Sequence, residues 1–406
     1  MATPVKRRDP SVQALPYPYK AWLALSSDPD NTLWPDWQEL DRVIWQELGL
    51  PFADSFFIRS YNQHIKGQVD LHDHPEILAA HPHDTMHTWG DFMFGREKSF
   101  DRSDAEAHFA QLQRLGIAPR VWVDHSMFIG NLLHMHPYGS TPEFTDASGH
   151  RYSNPLYSLD LAHAAGVRYV WDGTITPVVG QDRPISLWRR HRQRGASGKA
   201  ALGNYLKHVT GERLGVGRSF RDQFPSNDAY SVRKFADGRS LYVFSRYGHW
   251  AKADIDGLGD LLAPERMSEL IGNGGTCIAY THLGKRPVER MNATTHIPAN
   301  TLAALRGVKK HFEQRELMVS SVSDLLDQLV LRDHIAVDVP KNQVTFKADS
   351  IAFTTVDAKA LNGRSFSFKS QGLDPAKLRV RGTHEDLNPR VELHAPGSFT
   401  LHFPRS

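Results

Sequence analysis

Two aspartates and two histidines in the first quarter of the chain have the types and spacing that suit metal-dependent hydrolysis. Asp28 and Asp30 directly follow a short apolar segment, and His83 and His87 stand four residues apart. On a helical turn, two histidines at this spacing share one face and can bind the same ion. A carboxylate from Asp30 or Asp28 would complete an Asp/His/His set with positions left open for water and substrate. We therefore predict one divalent ion in a catalytic site.

Zinc suits this ligand set by type, and manganese, nickel or cobalt would also bind such ligands. Two simpler interpretations stay open. Aspartates on either side of Pro29 are also typical of a turn. The two histidines lie in a His-rich stretch that could be polar surface.

Apolar segments alternate with helical patterns through the part of the chain that contains these residues. Trp22–Leu25 is a predicted strand, Trp37–Leu48 has helical spacing, and Phe56–Ile58 is the next predicted strand. The alternation continues with predicted strands at Val121–Val123, Val167–Trp171 and Thr276–Tyr280. This order is typical of parallel α/β units, in which functional groups collect at the carboxyl ends of the strands.

The remaining segments complete a predicted organisation in four parts. Residues 181–260 contain a predicted inserted hairpin with its turn at Asp237-Gly238. The basic run Trp188–Arg194 is interpreted as a solvated helix face or, alternatively, as an anion site. The predicted parts are a loose N-terminal arm (1–20), a main α/β domain (21–315), a connecting helix (316–332) and a small accessory β domain (333–406).

The composition excludes several classes of partner and predicts the compartment. The 48 Lys and Arg nearly balance the 45 Asp and Glu, so we expect neither nucleic acid nor a membrane surface as partner. One cysteine, Cys277, excludes an internal disulfide. The polar, Pro-rich N-terminus lacks the apolar segment of a secretory signal, and no stretch approaches the roughly 20 apolar residues of a membrane helix. We therefore expect a cytoplasmic protein without membrane insertion.

The order of these motifs resembles the polysaccharide deacetylase family (NodB-homology, carbohydrate esterase family 4-like). Its members begin with an apolar strand that ends in paired aspartates, and the strand that follows is similar to Leu50–Ile58. Their His-Ser/Thr-x-x-His motif is matched in spacing by His83 and His87, and a late strand ends close to a histidine, as Cys277-Ile-Ala-Tyr-Thr-His282 does here. The resemblance covers roughly residues 20 to 290 and implies a distorted (β/α) barrel over residues 21–315.

The resemblance also implies roles for individual residues. Asp28 would be the general base, and Asp30 would be the metal ligand beside His83 and His87. His282 would be the general acid that protonates the leaving amine. Pro29 separates aspartates that are usually adjacent in the family, so the base and the ligand could be exchanged.

The middle motif of the family, usually Arg-x-Pro-x-aromatic, is not clear in this chain. Val123-Asp-His-Ser126 follows the third strand instead. This position makes His125, with Asp124 as its alternative, a candidate catalytic residue. The simpler interpretation is an N-cap or turn group.

The reaction implied by the resemblance is removal of an N-acyl group, most often acetyl, from an amino sugar of a surface polysaccharide or its precursor. A cytoplasmic location favours a sugar carried on a nucleotide or a lipid, or a glycan before export. One alternative is a metal-dependent hydrolase for a formamide, another amide or an ester. The other is a non-catalytic glycan-binding protein on the same barrel. The altered middle motif favours this binding protein, and the retained aspartates and histidines oppose it.

Overall fold

A computed structural model describes most of the chain. The described residues are 9–61, 65–88, 101–124, 131–132, 139–145, 148–183, 199, 202, 206, 227–249, 252–290, 293–394 and 397–405. The helices are α1 (Trp34–Leu40), α2 (Ile77–Ala80), α3 (Arg102–Arg114), α4 (Leu159–Ala165), α5 (Ile255–Leu261), α6 (Pro264–Asn273), α7 (Ala299–Glu313) and α8 (Val322–Asp333). A π-helical segment, Asp41–Glu47, continues α1, and two 3₁₀ turns cover Val288–Arg290 and Pro375–Lys377.

The strands fall into one large sheet and three small ones. The large sheet contains β1 (Ala21–Ser27), β2 (Asp54–Phe56), β3 (His83–His87), β4 (Val121–Val123), β7 (Tyr169–Thr176), β8 (Tyr230–Lys234), β9 (Ser240–Tyr247), β10 (Thr276–Thr281) and β11 (Leu317–Ser320). The small sheets contain β5 (Glu143–Thr145), β6 (Arg151–Ser153), β12 (Ile335–Asp338), β13 (Gln343–Phe346), β14 (Ser365–Lys369), β15 (Arg379–Arg381), β16 (Asp386–Leu387), β17 (Arg390–Leu393) and β18 (Ser398–His402).

Eight strands of the large sheet are parallel and follow the order β11-β1-β10-β9-β7-β4-β3-β2. The sheet curls into a half-barrel that is compatible with a distorted (β/α) barrel. The Ser55 hydroxyl of the edge strand β2 donates a hydrogen bond to the Ser27 carbonyl at the end of β1. The predicted mixed α/β class, with a parallel sheet and small C-terminal sheets, is therefore confirmed.

The sequence of β1 explains its central place in this sheet. All seven of its residues are buried, which is typical of a parallel strand covered on both faces. Trp22 and Ala24 belong to one apolar cluster, whereas Ala21, Leu23 and Leu25 belong to another, formed with α5, α6 and α7. Alternate side chains of one strand thus anchor two separate cores.

Helix α8 packs against the amino-terminal ends of several strands. Its Asp327 accepts hydrogen bonds from Arg120, just before β4, and from the Tyr169 hydroxyl at the start of β7. The Ser323 amide donates to Asp84 of β3 at 2.6 Å. Apolar residues of α8 share a cluster with the C-terminal sheets β12-β13-β15-β16 and β14-β18-β17. This packing covers the amino ends of the strands and leaves the candidate site at their carboxyl ends.

Three predicted segments differ from the structure. The hairpin with its turn at Gly238 is present, but β9 pairs in parallel with β7 and β10, so it is a central strand of the large sheet and not an insertion. β11 pairs with β1, so the main sheet continues past the boundary predicted at residue 315. The predicted loose arm is hydrogen-bonded to β14, where the Gln13 amide donates to the Ser367 carbonyl at 2.8 Å.

Two further expectations concern the basic run and the absence of a membrane helix. The basic run Trp188–Arg194 lies outside the described residues. Among the helices of the described ranges, none combines the length and apolar character that crossing a membrane requires.

Candidate active site

Four predicted site residues meet at the carboxyl ends of three parallel strands. Asp28 and Asp30 follow β1, His87 ends β3, and His282 follows β10. The His87 Nε2 atom lies 3.5 Å from Asp28 Oδ2 and 3.8 Å from Asp30 Oδ2. The His282 Nε2 atom lies 3.7 Å and 3.4 Å from the same two oxygens. Two carboxylates and two imidazoles therefore converge on one point.

The chemistry and spacing of these groups fit a divalent metal ion. Metal–ligand bonds of about 2.0–2.2 Å place two ligands of one ion at most about 4.4 Å apart. The imidazole–carboxylate distances of 3.4–3.8 Å satisfy this limit. Asp28, Asp30 and His87 form one of the two groups among the described residues that could hold an ion.

A buried arginine, Arg246 of β9, fixes Asp28. Its Nη1 and Nη2 atoms donate to the two carboxylate oxygens of Asp28, the second at 3.0 Å. Its guanidinium carbon lies 3.3 Å from the ring centroid of Trp171 and 4.0 Å from that of Tyr280. Arg246 is 0% exposed and Asp28 is 3% exposed. This is a two-point ion pair between aromatic rings, shielded from solvent.

The ion pair determines the charge of Asp28. Burial by itself would raise the pKa of this carboxyl, but Arg246, with smaller contributions from His87 and His282, holds the pKa well below its usual range. Asp28 is therefore an anion at any pH at which the protein would work.

Arg246 is the functional residue that the sequence analysis missed. It stands in Tyr242-Val-Phe-Ser-Arg-Tyr247, a strand whose other residues are largely apolar. A charged residue in such a segment must either reach solvent or find a buried partner. That signal pointed to a buried carboxylate, although nothing in the sequence identified Asp28 as that partner.

The orientation of His282 is set by the backbone. Its Nδ1 atom donates to the Ala253 carbonyl, which leaves Nε2 facing the two aspartates. The neighbouring Leu283 amide donates to the Ser27 hydroxyl at 3.0 Å. The loops after β1 and β10 are thus joined directly, so the imidazole and the carboxylates keep a defined relative position.

The predicted pairing of His83 with His87 is wrong in its geometry. Both residues lie on β3, a strand and not a helical turn, and four residues along a strand span about 13 Å. His87 is at the carboxyl end with the aspartates. His83 is at the amino end, where it forms a second group with Asp54 and His81. The single Asp30, His83 and His87 ligand set is therefore not assembled.

The candidate segment that follows strand β4 is only partly described. His125 lies outside the described residues. Asp124 is fully buried, and its Oδ1 accepts hydrogen bonds from Trp122 Nε1 at 2.7 Å and from the Leu132 amide at 2.8 Å. These bonds agree with the simpler interpretation of Asp124 as a turn group.

No family model, curated protein or solved structure matches this chain. The proposed function therefore rests on the geometry of the candidate site.

Proposed function

We propose that this protein is a metal-dependent hydrolase that removes an N-acyl group, such as acetyl, from an amino sugar. The observation that carries the proposal is the convergence of Asp28, Asp30, His87 and His282 at one barrel end, with Asp28 held as an anion by Arg246. The polysaccharide deacetylase resemblance supplies the substrate class. It implies the same residue types in the same chain order.

Asp30 and His87 are the residues that would hold a divalent ion, with zinc as the first choice. A bound ion would supply Lewis acidity at this position. Both oxygens of Asp28 accept hydrogen bonds from Arg246, which suits a carboxylate that orients water. This contact favours Asp28 as the base and Asp30 as the ligand.

Asp28 would orient the attacking water and accept its proton. A carboxylate with a strongly lowered pKa is a weak base, so much of its contribution would be positional. The guanidinium and the two aromatic rings prevent the carboxylate from turning away. The same carboxylate lies beside the proposed acid, since the His282 Nε2 atom is 3.7 Å from Asp28 Oδ2.

His282 would deliver a proton to the leaving nitrogen. Because Nδ1 is engaged with the Ala253 carbonyl, only Nε2 faces the reacting groups. A protonated imidazole is a suitable general acid for an amine leaving group. The proposed substrate class is a sugar carried on a nucleotide or a lipid, or a glycan before export.

The experiment combines metal content with product release. The full-length protein, loaded with Zn²⁺, is assayed for acetate released from N-acetylated oligosaccharides, N-acetylated sugar nucleotides, small amides and esters. Asp30→Asn is compared with Asp260→Asn, which alters a surface ion pair with Lys252. We expect turnover of an N-acetylated sugar that Asp30→Asn abolishes and Asp260→Asn preserves.

Other outcomes would redirect the proposal. Turnover of small amides or esters alone would establish a different hydrolase on the same barrel. Glycan binding without turnover, unchanged by Asp28→Asn, would contradict hydrolysis and establish a binding protein.

A further inference from the structure

We propose a second transition-metal site, formed by Asp54, His81 and His83 at the amino ends of β2 and β3. It lies at the opposite end of β3 from the candidate active site, and it does not depend on the proposed hydrolysis. The three residues form the second group among the described residues whose ligand atoms all lie within 4.8 Å of one another. Two imidazoles and one carboxylate are a ligand set that suits Zn²⁺.

The hydrogen bonds of both imidazoles leave the Nε2 atoms as the metal-binding atoms. The Nδ1 atom of His83 donates to the His81 carbonyl at 2.8 Å, and His81 Nδ1 lies 3.2 Å from Asp41 Oδ1. Engagement of Nδ1 with a carbonyl or carboxylate is the usual support of a metal-binding histidine. Both Nε2 atoms are buried and have no hydrogen-bond partner within the described part of the chain. Two buried acceptors without a donor are costly unless a cation occupies the space between them.

The carboxylate stands at a distance that suits a shared ion better than a hydrogen bond. Asp54 Oδ2 lies 4.0 Å from His81 Nε2. This separation is too long for a hydrogen bond but is inside the limit of about 4.4 Å for two ligands of one ion. No separation in the group exceeds 4.8 Å, so binding one ion would require a contraction of at most about 0.4 Å. Asp54 is itself buried.

The surroundings enclose the group and connect it to the first helix. The Trp45 ring stacks on the His81 ring with centroids 3.6 Å apart. Asp41, which holds His81, begins the π-helical segment that continues α1, and such segments are frequent at functional sites. A cavity of about 780 Å³ borders His83. The site would therefore be structural, joining α1 to the amino ends of two barrel strands.

The test measures metal per chain in the full-length protein after loading with Zn²⁺ and desalting. We expect two equivalents in the wild type, one in His83→Gln, one in His87→Ala and none in the double variant. His72→Gln, which changes an exposed histidine nearby, should keep both equivalents. In His87→Ala, removal of the remaining zinc by a chelator should lower Tm by several degrees.

The contrary results distinguish failure of the second site from failure of the proposed function. One equivalent that persists in His83→Gln would overturn the second site and leave the active site standing. One equivalent that is lost in either single variant would overturn the two-site geometry. One equivalent lost only in His83→Gln would support the second site and contradict a metal at the active site. No zinc in the wild type would overturn both.

A gentler variant covers the case in which His83→Gln does not fold. Asp41→Asn removes the carboxylate that supports His81 without removing a ligand. We expect its second-site zinc affinity to fall about 10- to 100-fold while the first equivalent is unchanged. Equal affinity for both equivalents in Asp41→Asn and wild type would contradict the assigned support of His81.

Discussion

Arg246 and Asp28 are 218 residues apart in the chain, yet they form a buried two-point ion pair. The pair joins β9 to the end of β1. Burying such a pair costs desolvation energy that the mutual attraction repays only with good geometry. Here the bidentate contact and the flanking rings of Trp171 and Tyr280 supply that geometry. The pair lies beside His87 and His282 in the candidate active site.

Replacing Arg246 with Met should shift the acid limb of the pH–rate profile upward. In the wild type the pKa of Asp28 is held below its usual range, so its anion persists far into the acid range. Without Arg246, burial would raise that pKa, and activity would be lost as the pH falls through the raised value. We expect a loss of about 10²-fold or more near pH 5 and a smaller loss near pH 8. Arg246→Lys should shift the limb less, and an unchanged limb in Arg246→Met would contradict the role.

Asp28→Asn and Asp30→Asn should separate orientation of the water from metal binding. We expect Asp28→Asn to keep the active-site metal and to lower kcat by about 10²- to 10⁴-fold. Asp30→Asn should lose the metal itself. Metal content and kcat, measured on both variants, test this assignment of roles to Asp28 and Asp30. Loss of metal in Asp28→Asn with retention in Asp30→Asn would exchange the two roles.

His282→Gln should affect substrates according to their leaving groups. An amide needs a proton on its leaving nitrogen, whereas an aryl ester leaves without one. We expect kcat to fall about 10²- to 10⁴-fold for the amide and only slightly for the ester, with metal content unchanged. Equal losses on both substrates, accompanied by loss of metal, would instead make His282 a ligand.

Gly284→Ala should destabilise the protein because the loop after β10 is tightly packed. A Cβ atom at this position would lie 2.1 Å from Thr32 Oγ1 and 2.3 Å from Thr32 Cα. We expect a loss of about 1–3 kcal/mol in the free energy of unfolding, measured by urea denaturation. Gly307→Ala is the matched control, since a Cβ there meets nothing within 4 Å. In helix α7 it should stabilise the fold by up to about 1 kcal/mol.

Asp54 should make the chelator-treated protein less stable as the pH rises. Burial raises the pKa of this carboxyl to about 7 in the folded protein, with a further contribution from Asp28 and Asp84. The folded state then binds the proton more tightly than the unfolded state, so stability falls between about pH 4 and pH 7. The rise from 3.8 to about 7 corresponds to about 4 kcal/mol.

The difference in unfolding free energy between wild type and Asp54→Asn isolates this effect. This free-energy difference should change between about pH 4 and pH 7 and stay constant above that range. A difference that is independent of pH would show that Asp54 ionises normally in the folded protein.

The sequence identified the site residues that lie next to strong local signals. Asp28 and Asp30 follow an apolar strand, and His282 follows another, so their meeting at one sheet edge was predictable from parallel topology. His83 was misplaced because the segment His83–His87, with Met86 as its only apolar residue, carries no periodicity that separates a helical turn from a strand. Arg246 was missed because it meets its partner, Asp28, only through the pairing of strands that are far apart in the chain. Residues far apart in sequence leave no local trace of such a contact.

The position of β1 between β10 and β11 affects how the chain can fold while it is being synthesised. Both of its neighbours belong to the last third of the chain. A ribosome would release the first strand long before either partner exists, and both edges of that apolar strand would stay unpaired meanwhile. Such long-range pairing slows folding and exposes the nascent chain to aggregation. Truncation before Leu317 would leave one edge of β1 permanently open, so the final residues of the sheet protect its first strand.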